Sequence, residues 1–556
     1  MDYEKLAELL FPDITKTPAY YEETYPQREL PAGAMVTRMG PSPTGFIHLG
    51  NLYGALADER LAHQSGGLCF LRIEDTDEKR EVEGAIPILL DTLRYFGITF
   101  DEGAVIPSGT DVEGRGDYGP YKQSDREAIY KCFVKDLIRR GKAYPCFMTE
   151  EEIAQIREKQ EAEKRNPGIY GEYAKYRDAG IEEIRSRLEK GEEYVIRFRS
   201  EGNPSKYFAV KDAIRGDISM PENIQDVVIL KKGGLPTYHF AHVVDDHLMR
   251  TTHVVRGEEW MASLPIHVQL FEAMGWQTPI YCHNTVLMKI DETTGQKRKL
   301  SKRKDPELSL GYYKELGYFP EAVREYLLTI LNSDYEEWRI ANPLADYNEF
   351  RFRTESMSSS GTLFDLNKLN DVSKDVLAKK SAEEIFAFML TWAEEYQPGI
   401  AEKLKTNREL MLKVFDIDRG GEKPRKDLVY AQQIFRFVKY FFDAYFEYED
   451  AFPAEVCAED RNEILRRYLE GYDPSDDNSA WFEKVRVICA DMGYAVKPKD
   501  FKKNPDQFKG HIGHVSGVIR VAVTGRANSP DLWMIQQIMG PQMVASRISR
   551  AMEIQA

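Results

Sequence analysis

The stretch Arg38-Met39-Gly40-Pro41-Ser42-Pro43-Thr44-Gly45-Phe46-Ile47-His48-Leu49-Gly50-Asn51 constrains the fold more than any other part of the chain. Ala34 to Met39 form a short apolar run, broken by Thr37 and Arg38, that fits a buried parallel strand. Pro41 and Pro43 fix φ and remove two backbone donors, so neither strand nor helix continues through them. Gly45 permits a sharp turn, and from His48 onward Leu49, Leu52, Tyr53, Leu56 and Leu61 recur at helical spacing. A strand that turns through a Pro/Gly corner into a helix puts backbone N–H groups and a positive dipole end at the top of a sheet. That place suits phosphates. His48 then falls in the first helical turn, within reach of a phosphate oxygen, and Gly50 leaves room for a base or ribose.

Leu68 to Ile73 is a second compact apolar strand, with Glu74-Asp75-Thr76-Asp77 at its carboxyl end. Residues 34 to about 115 thus read strand, turn, helix, strand, helix, the first half of a doubly wound sheet. In such sheets the ligand crevice lies at the carboxyl ends of the strands, so the proline turn and the acidic turn rim one crevice. Further on, Lys297-Arg298-Lys299-Leu300-Ser301-Lys302-Arg303-Lys304 forms a basic run that predicts a flexible loop.

With 556 residues the chain exceeds one core, and several domains are expected. The net charge of −16 argues against loose coating of nucleic acid, but a basic track on one face is still compatible with it. No apolar run is long enough to span a bilayer, and Met1-Asp2-Tyr3-Glu4-Lys5 lacks the pattern of a secretion signal. The six cysteines (69, 132, 146, 282, 457, 489) contain no Cys-x-x-Cys pair and read as reduced thiols of a cytoplasmic protein.

Taken together, Pro-Ser-Pro-Thr-Gly-x-x-His-x-Gly, Arg72-Ile73-Glu74-Asp75-Thr76-Asp77 and Lys299-Leu300-Ser301-Lys302-Arg303 resemble the bacterial glutamyl-tRNA synthetases, class I aminoacyl-tRNA synthetases. The resemblance is strong over 34–310, thin over 345–500, and recognisable again near Gly517–Arg526. It implies an α/β fold: a split, Rossmann-like doubly wound parallel sheet with an α+β insertion and a mainly α-helical anticodon-binding region. It also implies the reaction, in which glutamate attacks the α-phosphate of ATP and a tRNA ribose hydroxyl then attacks the activated carbonyl. ATP, accompanied by Mg2+ as its substrate complex, falls to Pro41, His48, Gly50, Asn51, Trp260, Lys299, Ser301 and Lys302. His48, Lys302 and Lys299 are the catalytic candidates, the lysines neutralising charge on the departing pyrophosphate. Arg38, Gly40, Ser42, Glu74, Tyr238, His242 and Arg256 would hold glutamate, with Glu74 on the ammonium group and Arg256 facing the γ-carboxylate. A guanidinium offers a carboxylate a bidentate fork and discriminates against an uncharged amide. Asp75 and Asp77 would lie near the terminal adenosine of the tRNA.

The same resemblance divides the chain into an extension (1–33), the first half of the catalytic domain (34–115), an inserted acceptor-end domain (116–225) and the second half (226–290). A flexible loop with a helical stem-contact domain (291–375) and a helical anticodon-binding region (376–556) follow. Strands are expected at 194–198, 208–214, 226–230 and 252–255, the last two belonging to the second half of the sheet. Helical periodicity marks 320–332, 381–396, 428–447 and 461–470. Two features depart from common family patterns: Gly40 stands where many relatives have Ala, and His242 where many have Asn. Tyr144-Pro145-Cys146-Phe147-Met148 lacks the paired cysteines of zinc-binding relatives, so no structural zinc is expected. His239, His242 and His247 do not have the spacing of a zinc motif, and no metal site is assigned to them. His511-Ile512-Gly513-His514 spells a class I signature, but no proline turn precedes it, and Gly, Ser and Val follow where a helix should begin. Partners are tRNA(Glu), with tRNA(Gln) as the alternative, L-glutamate and ATP, for a monomer without membrane contact. A glutaminyl-tRNA synthetase is the less favoured reading, because its turn typically reads Pro-Glu-Pro-Asn.

Overall fold

The computed structural model describes residues 2–43, 45, 47–77, 81–106, 112–419, 421 and 424–554; Thr44 and Phe46 of the proline turn lie outside them. The chain divides into two compact units, Met1–Tyr312 with Arg324–Asp365, and Tyr313–Val323 with Leu366–Ala556.

In chain order the first unit begins with α1 (Tyr3–Leu10), α2 (Pro18–Thr24), β1 (Val36–Met39), α3 (Leu49–Gln64), β2 (Leu68–Leu71) and α4 (Ala85–Tyr95). Then come β3 (Glu102–Val105), β4 (Glu113–Arg115), α5 (Glu127–Arg139), β5 (Ala143–Cys146), α6 (Glu150–Ala162), α7 (Ile181–Glu189) and β6 (Val195–Phe198). The run β7 (Tyr207–Asp212), β8 (Gly216–Pro221), β9 (Val228–Leu230), α8 (Tyr238–Leu248) and β10 (His253–Gly257) follows. It continues with α9 (Leu264–Met274), β11 (Ile280–Asn284), β12 (Leu287–Ile290) and β13 (Lys297–Lys299).

β1, β2 and β3 run parallel, with β4 antiparallel on the edge. β10, β11 and β7 are also parallel, with β8 antiparallel on the opposite edge. The halves meet between β1 and β10, where Thr252 N–H donates to the Val36 carbonyl at 3.0 Å and Val36 N–H to Thr252 Oγ1 at 2.8 Å. This junction is the switch point of a doubly wound sheet, and a crevice opens outside the carboxyl ends of the two strands there. α3 packs over it and is buried around most of its girth, including the charged Asp58, Glu59 and Arg60. Glu59 pairs with Arg324 at 2.7 Å, which is how a carboxylate survives there.

Two strand placements differ from expectation. Val228–Leu230 pairs antiparallel with β6, completing a three-stranded sheet with β5, so it belongs to the insertion and not to the parallel sheet. Tyr207–Asp212, expected within the insertion, instead joins β11 through the Asp212–Tyr281 register. Strand partners are set by long-range packing, which the local pattern of a short strand does not encode. The basic run is likewise not a plain loop: β13 pairs antiparallel with β12, with Lys299 opposite Met288.

The second unit is helical around a core that includes Ile385, Met389, Phe415, Ile464, Val518 and Ile519. Helices span Ala382–Tyr396 and Ala458–Gly471, whereas 428–447 contains only Ala431–Val438 followed by 3-10 turns. His511 corrects the sequence reading. A helix does begin there, Ile512–Thr524, capped by His511 Nδ1 accepting the Gly513 N–H at 3.0 Å. Its apolar face (Ile512, Val515, Val518, Ile519, Ala522) is buried, and that packing overrides the weak propensity of Gly, Ser and Val.

Candidate active site

A cleft of about 1000 Å³ opens at the switch point. Met39 ends β1 and the chain turns through Pro41, Pro43 and Gly45, whose φ of 72° is the left-handed conformation that favours glycine. His48 caps α3: its Nδ1 accepts the Asn51 N–H at 3.2 Å, and Asn51 Oδ1 accepts the His48 N–H at 3.0 Å. Burial lowers the His48 pKa, so the ring is neutral and, with Nδ1 accepting, its proton sits on Nε2. Pro41, Gly50 and Asn51 line the cleft beside it. Trp260, Lys299 and Lys302 line it as well, whereas Ser301 does not and spends its N–H on Asp305 at 2.8 Å.

Arg38, Gly40, Ser42, Glu74, Tyr238 and Arg256 also line the cleft. Glu74 accepts from Arg72 Nη2 at 2.9 Å, and its carboxylate lies over Gly40, where a Cβ would stand only 2.3 Å from Oε1. Glycine at 40 therefore permits this placement of Glu74. Burial raises the Glu74 pKa against the pull of Arg72 and Arg38, so an arriving cation would favour its ionised form. Arg38 Nε donates to both Asp246 oxygens at 3.2 Å, and Arg72 Nη1 donates to Asp246 Oδ1 at 2.7 Å. Although burial works against ionisation, these two guanidiniums hold Asp246 well below the usual carboxylate range.

Arg256 has different company. Its Nε donates to His283 Nε2 at 3.0 Å, Nη1 lies 3.1 Å from His267 Nδ1, and Nη2 reaches the Trp260 carbonyl at 3.5 Å. Burial depresses all three neighbouring imidazoles: His239 to about 4, His267 far down, and His283 downward despite Asp212 at 2.7 Å. Neutral partners orient the guanidinium without compensating its charge, and among the described residues no carboxylate pairs with it. A buried, uncompensated cation at a cleft wall calls for an anionic ligand.

Two expected site residues stand behind the wall. His242 is fully buried, stacked under Tyr238 at 5.8 Å, with Nε2 3.1 Å from the Tyr281 hydroxyl and Nδ1 2.7 Å from Asp246. It does not line the cleft and packs behind Tyr238, which does. Asp75 is spent on Ser124, whose N–H and hydroxyl donate at 2.8 and 2.6 Å, and on Lys122 at 3.3 Å, whereas Asp77 lines the cleft.

Sequence reasoning missed His267, His283, Asp212 and Asp246, and weighed His239 only as a metal ligand. The signal available was the helical spacing of His239, His242 and Asp246 along one face of α8. His247 belongs elsewhere, stacked on Trp276 at 3.8 Å and paired with Glu22 at 2.6 Å. Among the described residues no group of three potential ligands forms a metal site.

The fold and this cleft define a class, and the comparisons agree. Residues 34–371 match the family "tRNA synthetases class I (E and Q), catalytic domain", and residues 425–552 match an anticodon binding domain. The chain is 58% identical to a glutamate–tRNA ligase of Acetivibrio thermocellus, covering 99% of this chain and 100% of that one. It is 52% identical to one of Clostridium perfringens strain 13, again over 99% and 100%. The crystal structure of a glutamate-tRNA synthetase from Elizabethkingia anophelis is similar at a TM-score of 0.71 and 28% identity, covering 94% of this chain and 100% of that one. The chain belongs to the glutamate–tRNA ligase family.

Proposed function

We infer that the protein ligates L-glutamate to tRNA(Glu) in two steps. Glutamate attacks the α-phosphate of ATP, giving glutamyl-adenylate and pyrophosphate. The terminal ribose hydroxyl of the tRNA then attacks the activated carbonyl and releases AMP. The observation that carries this reading is Arg256, an uncompensated guanidinium in the wall of a cleft that also holds the capped His48 and the two lysines.

Arg256 receives the γ-carboxylate and Glu74 the ammonium group, with Arg38, Ser42 and Tyr238 completing the glutamate pocket. His48 donates from Nε2 to an ATP phosphate, while Pro41, Gly50, Asn51 and Trp260 seat the nucleotide. Lys302 and Lys299 take up charge as pyrophosphate leaves. Mg2+ enters with ATP as part of the substrate and clamps its phosphates. No enzyme-bound covalent intermediate is required, so catalysis is positioning and electrostatics.

The insertion built on the sheet of β5, β6 and β9 receives the acceptor end, with Asp77 near its terminal adenosine, and the helical region 376–556 reads the anticodon, a role the anticodon-domain match supports. The protein works as a cytoplasmic monomer. No described helix is long and apolar enough to cross a membrane. The test is Arg256→Gln: KM for glutamate should rise by about 100-fold or more with KM for ATP near wild type, since a charge-assisted bidentate contact is lost. An unchanged KM for glutamate would remove Arg256 from the pocket.

A further inference from the structure

Arginine has five N–H donors and no acceptor. Arg256 Nη1, 3.1 Å from His267 Nδ1, therefore forces that nitrogen to accept, and neutral His267 carries its proton on Nε2. His267 Nε2 lies 2.9 Å from His239 Nδ1, which must accept in turn. Neutral His239 is left with its proton on Nε2, for which no acceptor is found among the described residues, and the ring borders the cleft. On the other side, Arg256 Nε makes His283 Nε2 an acceptor, so His283 Nδ1–H donates to Asp212 at 2.7 Å. The guanidinium is braced from both sides. Burial keeps the imidazoles neutral, the state in which each ring has one donor and one acceptor.

We propose that His239, with its polarity fixed through His267 by Arg256, is a specificity-determining residue that presents only a donor to the amino-acid side chain and so selects a carboxylate over a carboxamide. The proposal rests on the reading that Arg256 receives the γ-carboxylate. A carboxylate accepts from Arg256 and His239 at once. The amide of glutamine satisfies one of them through its oxygen and sets its NH2 against the N–H of the other, whichever way it turns. An isolated histidine would relieve this by moving its proton to the other nitrogen. Here that shift requires His267 to donate toward Arg256, which has nothing to accept with. His267 is thus a positioning residue, acting through His239 and Arg256.

The experiment is charging of tRNA(Glu) with labelled glutamate and ATP, with glutamine as competitor, on the full-length protein. The ratio of Ki for glutamine to KM for glutamate is compared among wild type, His239→Gln and His267→Gln. In His239→Gln a rotatable amide can turn its oxygen to the glutamine NH2, so the ratio should fall by about tenfold or more, the scale of one relieved unpaired donor. His267→Gln should lower it in the same direction, with KM for glutamate changing more than kcat. A wild-type ratio in both variants overturns the proposal. A variant that no longer charges is read by calorimetric titration of glutamate and glutamine with tRNA(Glu) bound, where an unchanged preference overturns it equally. Arg256→Gln separates the two layers. If KM for glutamate does not rise there, the pocket reading fails; if it rises while the His239→Gln ratio stays put, only the role of His239 fails.

Discussion

At the start of α3 a single imidazole caps the helix and lines the cleft. His48 Nδ1 closes the first turn of the helix by accepting the Asn51 N–H, and the proposed function gives the same ring a second job, donation from Nε2 to a phosphate. The jobs separate by substitution. Asn is a good N-cap, so His48→Asn should keep stability within about 0.5 kcal/mol while kcat falls by about 100-fold, whereas His48→Ala should also lose about 1 kcal/mol. Urea unfolding and single-turnover charging read the two effects. His242 gives a pH prediction. Burial pushes its imidazole down to about 3, although Asp246 pulls the other way. In the unfolded chain it titrates near 6.5, so between those values the unfolded state binds a proton that the folded state refuses. Stability present above about pH 6.5 is therefore lost on acidification, by about 2 kcal/mol from this residue at about pH 5. His242→Gln should flatten that slope by about one proton in urea midpoints measured from about pH 7.5 to 5. An unaltered slope would show that His242 is not a buried neutral base.

At the scale of elements, the basic run is held in shape by one of its own arginines. Arg298 donates to Asp291 at 2.9 Å and bidentately to Asp305 at 2.6 and 2.8 Å, keeping the Asp305 carboxyl low, at about 2. Asp305 also accepts the Ser301 N–H, so the Arg298 fork fixes the turn between Lys299 and Lys302. On the role proposed for Lys299 and Lys302, Arg298→Ala should lower kcat for adenylate formation by about tenfold with KM for glutamate unchanged, because misplaced lysines would cost transition-state contacts only. Tracking pyrophosphate release in the presence of tRNA would check it.

The hairpin shows what local sequence conveys. The proline turn and α3 were legible because Pro, Gly and the helical spacing after His48 act on the backbone directly. The strand Lys297–Lys299 was hidden because three charged residues carry no alternating pattern. The exchange of 207–212 and 228–230 between sheets was hidden for a related reason: both are short, and their partners lie far away in sequence. Most of the cleft could be named from motifs, yet the histidines that brace Arg256 could not. His267 meets His239 across 28 positions, and a lone histidine in an apolar helix signals nothing by itself.

At the scale of the molecule, the extension 1–33 is a strap. Glu8 pairs with Lys135 of α5 at 2.9 Å, Glu22 with Arg250 at 2.7 Å, and Arg28 forks onto Glu102 of β3 at 2.8 and 3.0 Å. It thereby ties the insertion and both halves of the parallel sheet within the first unit. Arg28→Ala leaves the Glu102 carboxylate without its bidentate partner and should cost about 1–3 kcal/mol, read as an earlier first transition on thermal unfolding. A transition at the wild-type temperature would deny the strap a structural role.

A glutamate–tRNA ligase joins an amino acid to a tRNA. Charging of purified tRNA(Glu) and tRNA(Gln), each offered labelled glutamate or glutamine with ATP, tests that activity most directly. The account predicts glutamate esterified to tRNA(Glu) with release of AMP and pyrophosphate, and no transfer of glutamine to either tRNA. Glutamate on tRNA(Gln) as well would widen the partner set without touching the cleft. Transfer of glutamine, or no charging of tRNA(Glu), would contradict the account.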